Sequence, residues 1–215
     1  DEIMRYYNFP GDALNIIPNG VRVSELGPAP LKHARARAQL KIGTDEIAAL
    51  FLGSGWERKG LRFAIAAIEK ARVRLLVAGR GNQRKYRSGN VTFLGEMEDV
   101  RLPLAAADIF ILPTIYDPFS NASLEAMAAG LPVITTRANG CSEIVEPKVH
   151  GTILERADDI EGLSQALRFW SDGSRRLTAR PALLERATQF DLSRNVAHTL
   201  EVLLHFRDSA GLTSG

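Results

Sequence analysis

The chain has 215 residues, enough for one domain or two. Hydrophobic residues make up 45% and charged residues 24%, which excludes a wholly disordered chain, and Gly 18 with Pro 10 excludes a collagen-like one. Lys+Arg 27 against Asp+Glu 25 leaves +2, too small an excess to argue for a nucleic-acid partner even at a pI near 8.8. The opening DEIMRYYNF lacks an initiator Met and the basic and apolar regions of a signal peptide. It reads as the middle of a helix, so the chain is expected to be a fragment of a longer protein. Leu14–Pro18 then reads as a strand and Leu31–Leu40 as a helix. Ile47–Gly53 is a strand, followed by a helix over Leu61–Ala71. Val73–Gly79 and Val91–Gly95 are strands, and Glu98–Ala106 is a helix. Asp108–Pro113 is a strand leading to a helix over Asn121–Ala129, and Leu131–Thr136 and Gly151–Leu154 are strands. Three helices close the chain, Asp158–Ser171, Arg175–Gln189 and Leu192–Phe206, and the small polar residues 207–215 read as a disordered tail.

Several of these strands are almost continuously apolar, as strands buried on both faces are. Their alternation with helices predicts an α/β fold with a Rossmann-like, doubly wound parallel sheet. No stretch approaches the roughly 18 consecutive apolar residues of a membrane helix. The single cysteine, Cys141, excludes an internal disulfide and favours a reducing, cytoplasmic compartment. In such sheets ligands bind beyond the carboxyl ends of the strands, so the residues that follow each strand matter most.

Three phosphate- and metal-binding patterns are absent. Gly79-Arg80-Gly81 follows a strand, but Arg84 stands where a dinucleotide fingerprint has its third glycine. Gly55 and Gly60 have the spacing of a nucleotide-triphosphate loop, but Leu61 and Arg62 replace its lysine and hydroxyl residue. His33, His150, His198 and His205 have no carboxylate or cysteine at ligand spacing and read as surface residues, so no metal is expected.

Two segments carry chemistry. In GSGWERKG, residues 53–60, Arg58 and Lys59 precede a helix start, where free amides and the helix dipole add to their charge. That arrangement suits an anion, although a solvated basic pair has the same sequence. In YDPFSNASLEAMAAG, residues 116–130, Ser120 or Asn121 can cap a helix and Gly130 can end it. Asp117 lies before that helix and Glu125 in its first turns. Two carboxylates flanking a helix start can bracket a sugar, since each accepts two hydroxyl hydrogen bonds, while the amides between them take a phosphate. Trp56 has two readings, stacking on a base or packing. Cys141 reads as a small semi-buried residue, Glu143 as a dipole partner for a following helix, and Phe169 and Trp170 as core.

Together these segments resemble the retaining glycosyltransferases of family four, also called group 1, which have the GT-B fold of two facing Rossmann-like domains. The family's paired acids appear as Asp117-Pro118-Phe119-Ser120 and Leu124-Glu125-Ala126-Met127-Ala128, followed by Gly130-Leu131-Pro132-Val133. Its diphosphate-binding triplet stands as Arg58-Lys59-Gly60, and Ile17–Val21, VAGRG at 77–81 and VTFLG at 91–95 follow the family's order. The resemblance implies that residues 1–206 are a C-terminal donor-binding domain whose N-terminal acceptor domain lies outside this chain. It implies a nucleoside diphosphate sugar, UDP-hexose, as donor substrate, with no cofactor, metal or nucleic acid and at most peripheral membrane contact. Arg58 and Lys59 would neutralise the leaving diphosphate and Asp117 would contact the transferred sugar. Glu125 would hold the ribose, and the amides of Phe119, Ser120, Asn121 and Ala122 would hold sugar and phosphate oxygens. Gly53 and Ser54 would belong to the donor loop, and Leu94 and Gly95 to the wall of the base pocket. The wording is most similar to lipopolysaccharide core glucosyltransferases. Asp117 and Ser120 depart from the family's usual Glu and Gly. The isolated domain is expected to be inactive. Two other readings stand beside this one: a GT-B sugar-nucleotide epimerase, which releases UDP without an acceptor, and a non-catalytic nucleotide-binding scaffold.

Overall fold

The computed structural model describes residues 2–8, 10–11, 14–27, 30–86 and 88–209. Six strands form one parallel sheet: β1 (Ala48–Leu52), β2 (Arg74–Ala78), β3 (Val91–Gly95), β4 (Ile109–Leu112), β5 (Val133–Thr136) and β6 (Gly151–Leu154). Their order is β3-β2-β1-β4-β5-β6. This is the doubly wound, Rossmann-like topology expected from the alternating pattern. Every residue of β1, β4 and β5 is buried, which explains why these strands read as unbroken apolar runs.

The helices are α1 (Glu2–Tyr7), α2 (Val23–Leu26), α3 (Pro30–Gln39), α4 (Leu61–Ala71), α5 (Arg101–Ala106), α6 (Asn121–Ala128), α7 (Ile160–Trp170), α8 (Gly173–Thr188) and α9 (Leu192–Ser209). α4 packs on α7, α3 on α5, and α6 on α8. The core includes Trp170, Phe51 and Phe110, all essentially inaccessible. Among the described residues no helix is long and apolar enough to cross a membrane.

Four expectations are corrected. Leu14–Pro18 is not a strand: Ile16 is exposed, Pro18 has no amide to donate, and pairing begins only at Val21, which bridges Asp191. The helix placed at Glu98 starts at Arg101, where Asp99 accepts the Arg101 amide. The predicted tail is helical through Ser209 in α9, and 210–215 lie outside the described residues. His150 is buried rather than on the surface: its Nδ1 accepts the Glu146 amide at 3.0 Å, and burial pushes its pKa down.

The strand order places the switch point between β1 and β4. Chain leaves these neighbouring strands toward opposite sides, which opens a crevice at their carboxyl ends. The two segments singled out in the sequence are the loops that leave these two strands.

Candidate donor site at the switch point

The loop after β1 is held from below. Trp56 is buried: its indole NH donates to the Gly53 carbonyl at 2.9 Å, and its ring stacks on Phe93 and meets Tyr86 edge-on. Of its two readings, packing is the one observed. Gly60 then turns the chain into α4 with φ +78, and a side chain there would collide with the Pro113 carbonyl. Glycine therefore lets the β1 loop lie directly against the end of β4. Ile115 donates its amide to the Arg58 carbonyl at 2.8 Å, and the Thr114 hydroxyl donates to the same carbonyl at 3.1 Å. The Arg58 guanidinium donates to the Tyr116 carbonyl.

This seam brings the predicted residues together. Asp117 is buried, with one carboxylate oxygen 3.4 Å from Lys59 Nζ and 3.8 Å from Arg58 Nη1. The Lys59 side chain lies across Gly53, where a Cβ would stand 2.7 Å from Nζ. Glu125 is half-buried on the next turns of α6. Loss of solvation pushes its pKa up, and the positive charge of Lys59 pulls it partly back. Cations from one loop and carboxylates from the other thus share one electrostatic field at one rim of the sheet.

The start of α6 is built by Ser120 and Asn139. Ser120 Oγ accepts the Ser123 amide at 3.3 Å, the predicted cap. Asn139, after β5, is fully buried. Its Oδ1 accepts the amides of Ser120 and Cys141 at 3.2 and 3.1 Å, and its Nδ2 donates to Ser123 and Thr135 hydroxyls at 3.3 and 3.0 Å. Asp117 N donates to the Ala138 carbonyl at 3.0 Å, and Gly140 N returns a bond to the Asp117 carbonyl at 2.9 Å. Asn139 was not singled out from the sequence. Its only signal was an Asn-Gly pair following a strand, which ordinarily marks a turn. The Ser120 amide is engaged by Asn139, so the open donors of this helix start are the amides of Asn121 and Ala122, which have no acceptor within the helix.

The other predicted residues lie further out. Ser54 Oγ accepts the Arg80 amide at 3.1 Å and ties the loops after β1 and β2 together. Gly95 accepts the Gly79 amide at 2.7 Å, and Leu94 packs on the core. Neither lines the cleft of about 390 Å³ that runs from Glu125 and Asn121; its far wall is Glu98–Arg101, with Arg22 and Glu25 opposite. Cys141 is buried under the site, and lost solvation together with the Asp117 charge raises its pKa to about 12. Glu143 is exposed in a short 3-10 turn over Gly140–Ile144, Trp170 is core, and Phe169 is half-buried beneath Arg175.

Comparisons with known proteins point to one family. The family described as glycosyl transferases group 1 matches residues 46–172, more than half of the chain. An uncharacterised glycosyltransferase of Methanocaldococcus jannaschii is 29% identical over 190 residues, covering 79% of this chain and 49% of that protein. The lipopolysaccharide glucosyltransferase WaaG of Escherichia coli is 27% identical over 183 residues, covering 78% and 49%. A crystal structure of WaaG superimposes with a TM-score of 0.79 at 25% identity, over 89% of this chain and 56% of that one. Anabaena HepE in complex with UDP and glucose shares the fold, with a TM-score of 0.77 at 22% identity over 90% and 57%. The chain spans about half the length of the curated relatives it matches. Sequence, sheet order and relatives agree: this chain belongs to the group 1 glycosyl transferases.

Proposed function

We propose that this chain is the C-terminal, donor-binding domain of a retaining hexosyltransferase that uses a nucleoside diphosphate sugar, with UDP-hexose the favoured donor. The observation that carries this reading is the meeting of Arg58 and Lys59 with Asp117 beside the start of α6, with Glu125 in the same field. An anion entering there meets two cations and two open amides, and the charged side chains are already oriented by the protein. The names of WaaG, a lipopolysaccharide glucosyltransferase, and of HepE, bound to UDP and glucose, support the choice of sugar nucleotide. They also favour synthesis of lipopolysaccharide or another cell-surface glycan. Cytoplasmic placement, with at most peripheral membrane contact, belongs to the same proposal, as does an acceptor-binding partner domain of the same protein.

In the reaction the bond from the anomeric carbon to the diphosphate breaks and a bond to the acceptor oxygen forms, while the acceptor's hydroxyl proton passes to the departing diphosphate. Negative charge grows on the departing diphosphate. Fixed positive charge from Arg58, Lys59 and the α6 start stabilises that charge more than the ground state, which is the source of rate acceleration. This assigns the electrostatic work to the protein's own cations, with no metal. Glu125 accepts the ribose hydroxyls. Asp117 positions the sugar and keeps both cations aimed at the crevice. The epimerase reading has less support, because the named relatives are transferases.

Calorimetric titration of the chain with UDP and UDP-glucose tests the proposal. Saturable binding of both at a single site is the expected result. Absence of binding by both nucleotides would overturn the donor-site reading.

A further inference from the structure

A second cavity adjoins the donor cleft, with which it shares Glu25, Leu26 and Arg101, and extends from there toward Ala129, Leu131 and Arg180. It has a volume of about 390 Å³ and sits among α2, α3, α5 and α8, next to the amino ends of β4 and β5. Its floor is apolar: Leu26, Leu104, Ala107, Ala129 and Leu131, of which all but Leu26 are buried. Its charged lining is unbalanced. Arg101 is held by both oxygens of Asp99, and Glu25 pairs with Arg22. Lys32 and Arg180 have no counter-ion among the described residues, and the Nε of Arg180 is buried without a hydrogen-bond partner. His33 directs Nδ1 at the Ala105 carbonyl, 2.7 Å away, so Nε2 is free of that contact. A smaller adjoining cavity of about 210 Å³ shares His33, Ala107, Leu131 and Arg180 and adds Leu177, which is 64% exposed, together with Asp108 and Arg176, which pair with each other.

A cation that lines a cavity without an internal counter-ion keeps its charge available to an anion that enters. Two uncompensated cations define the charge of that partner, and the leucine and alanine floor defines its body. We propose that this cavity binds a small amphipathic anion: one carboxylate or phosphate, held by Arg180 and Lys32, on an apolar chain lying over Leu104 and Leu131 toward Leu177. The cavity is recessed between helices, which suits a single free molecule rather than a membrane face. Arg180 belongs to α8 and takes no part in the donor crevice, so this site stands or falls independently of the donor proposal.

The test is calorimetric titration of the chain with monomeric decyl phosphate, with decanol and inorganic phosphate as separate arms, on wild type and Arg180→Gln. Decyl phosphate is expected to bind wild type at one site, at least tenfold more tightly than either decanol or inorganic phosphate. Arg180→Gln is expected to weaken it at least tenfold while the urea unfolding midpoint stays unchanged, which reports an intact fold. Lys32→Gln is expected to weaken it less, since Lys32 is exposed. Failure of wild type to bind decyl phosphate, or equal binding by Arg180→Gln, would overturn the proposal. Equal affinity for decanol would remove the cations from it, and equal affinity for inorganic phosphate would remove the apolar floor; either result overturns it. Retention of wild type but not Arg180→Gln on phosphatidylglycerol vesicles would assign the cations to a lipid surface and overturn the free ligand.

Discussion

Strand β4 carries an aspartate beyond each end, and each aspartate stands between two cations. At the amino end, Asp108 pairs with Arg37 at 2.8 Å and Arg176 at 3.3 Å. At the carboxyl end, Asp117 pairs with Lys59 at 3.4 Å and Arg58 at 3.8 Å. The charges are the same but the remaining hydrogen-bonding capacity is not. Arg37 also donates to the carbonyls of Ala106, Gly43 and Glu46, Arg176 to those of Trp170 and Ser171, and Asp108 accepts the Ala48 amide. That end is a clasp fixing α3 and α8 to the sheet. At the other end Arg58 donates to one carbonyl and its side chain is 48% exposed, while Lys59 makes one longer contact, at 3.4 Å to Asp117. Charge composition does not separate a binding site from a structural clamp. Unused donors at a solvent-facing rim do.

The comparison is broken most severely at the clasp. Arg37→Leu takes one partner from Asp108 and the donor from three carbonyls, and is expected to cost about 3–5 kcal/mol of stability in urea unfolding, with UDP affinity of the folded protein unchanged. A small loss with weakened UDP binding would reverse the two roles. At the site, Lys59→Gln is expected to weaken UDP binding at least tenfold, or about 1.4 kcal/mol, while the urea midpoint barely moves. An unchanged affinity in calorimetry would remove Lys59 from the donor site.

Glu125 sharpens the contrast through pH. Its folded pKa is raised by lost solvation, so the folded chain holds a proton that the unfolded chain has released. Its contribution to stability is complete below the ordinary carboxylate value near 4.5 and is lost as pH rises through the folded value. Glu125→Gln is therefore expected to flatten the fall in stability with pH across that window, and to weaken UDP binding by removing an acceptor for ribose hydroxyls. Unfolding curves collected across that window check the first effect, and a slope identical to wild type would contradict it. The smallest effect concerns Cys141. Burial and the neighbouring Asp117 keep its thiol protonated up to about 12, so iodoacetamide at pH 8 is expected to label it only in urea. Rapid labelling of the folded chain would mean the floor of the site is open.

Much of the fold was legible because buried parallel strands are nearly unbroken apolar runs. Val91–Gly95, Gly151–Leu154 and the helix Leu61–Ala71 were read with their observed limits. Leu14–Pro18 misled because an apolar run carries no information about whether a neighbouring strand is available. The charged residues of the site were legible because each loop holds its chemistry in consecutive positions. Asn139 was not, because its partners Ser120 and Ser123 lie 19 and 16 residues away and only the folded sheet brings them together. The packing role of Trp56 is not legible in its loop, because its ring partners Phe93 and Tyr86 lie 37 and 30 residues away.

A crystal structure of the chain soaked with UDP tests the central claim most directly. The account predicts the diphosphate within hydrogen-bond distance of Lys59 Nζ and the amides of Asn121 and Ala122, with the ribose hydroxyls on Glu125. Diphosphate density bound away from the β1–β4 switch point, with Lys59 and Asp117 undisturbed, would contradict it.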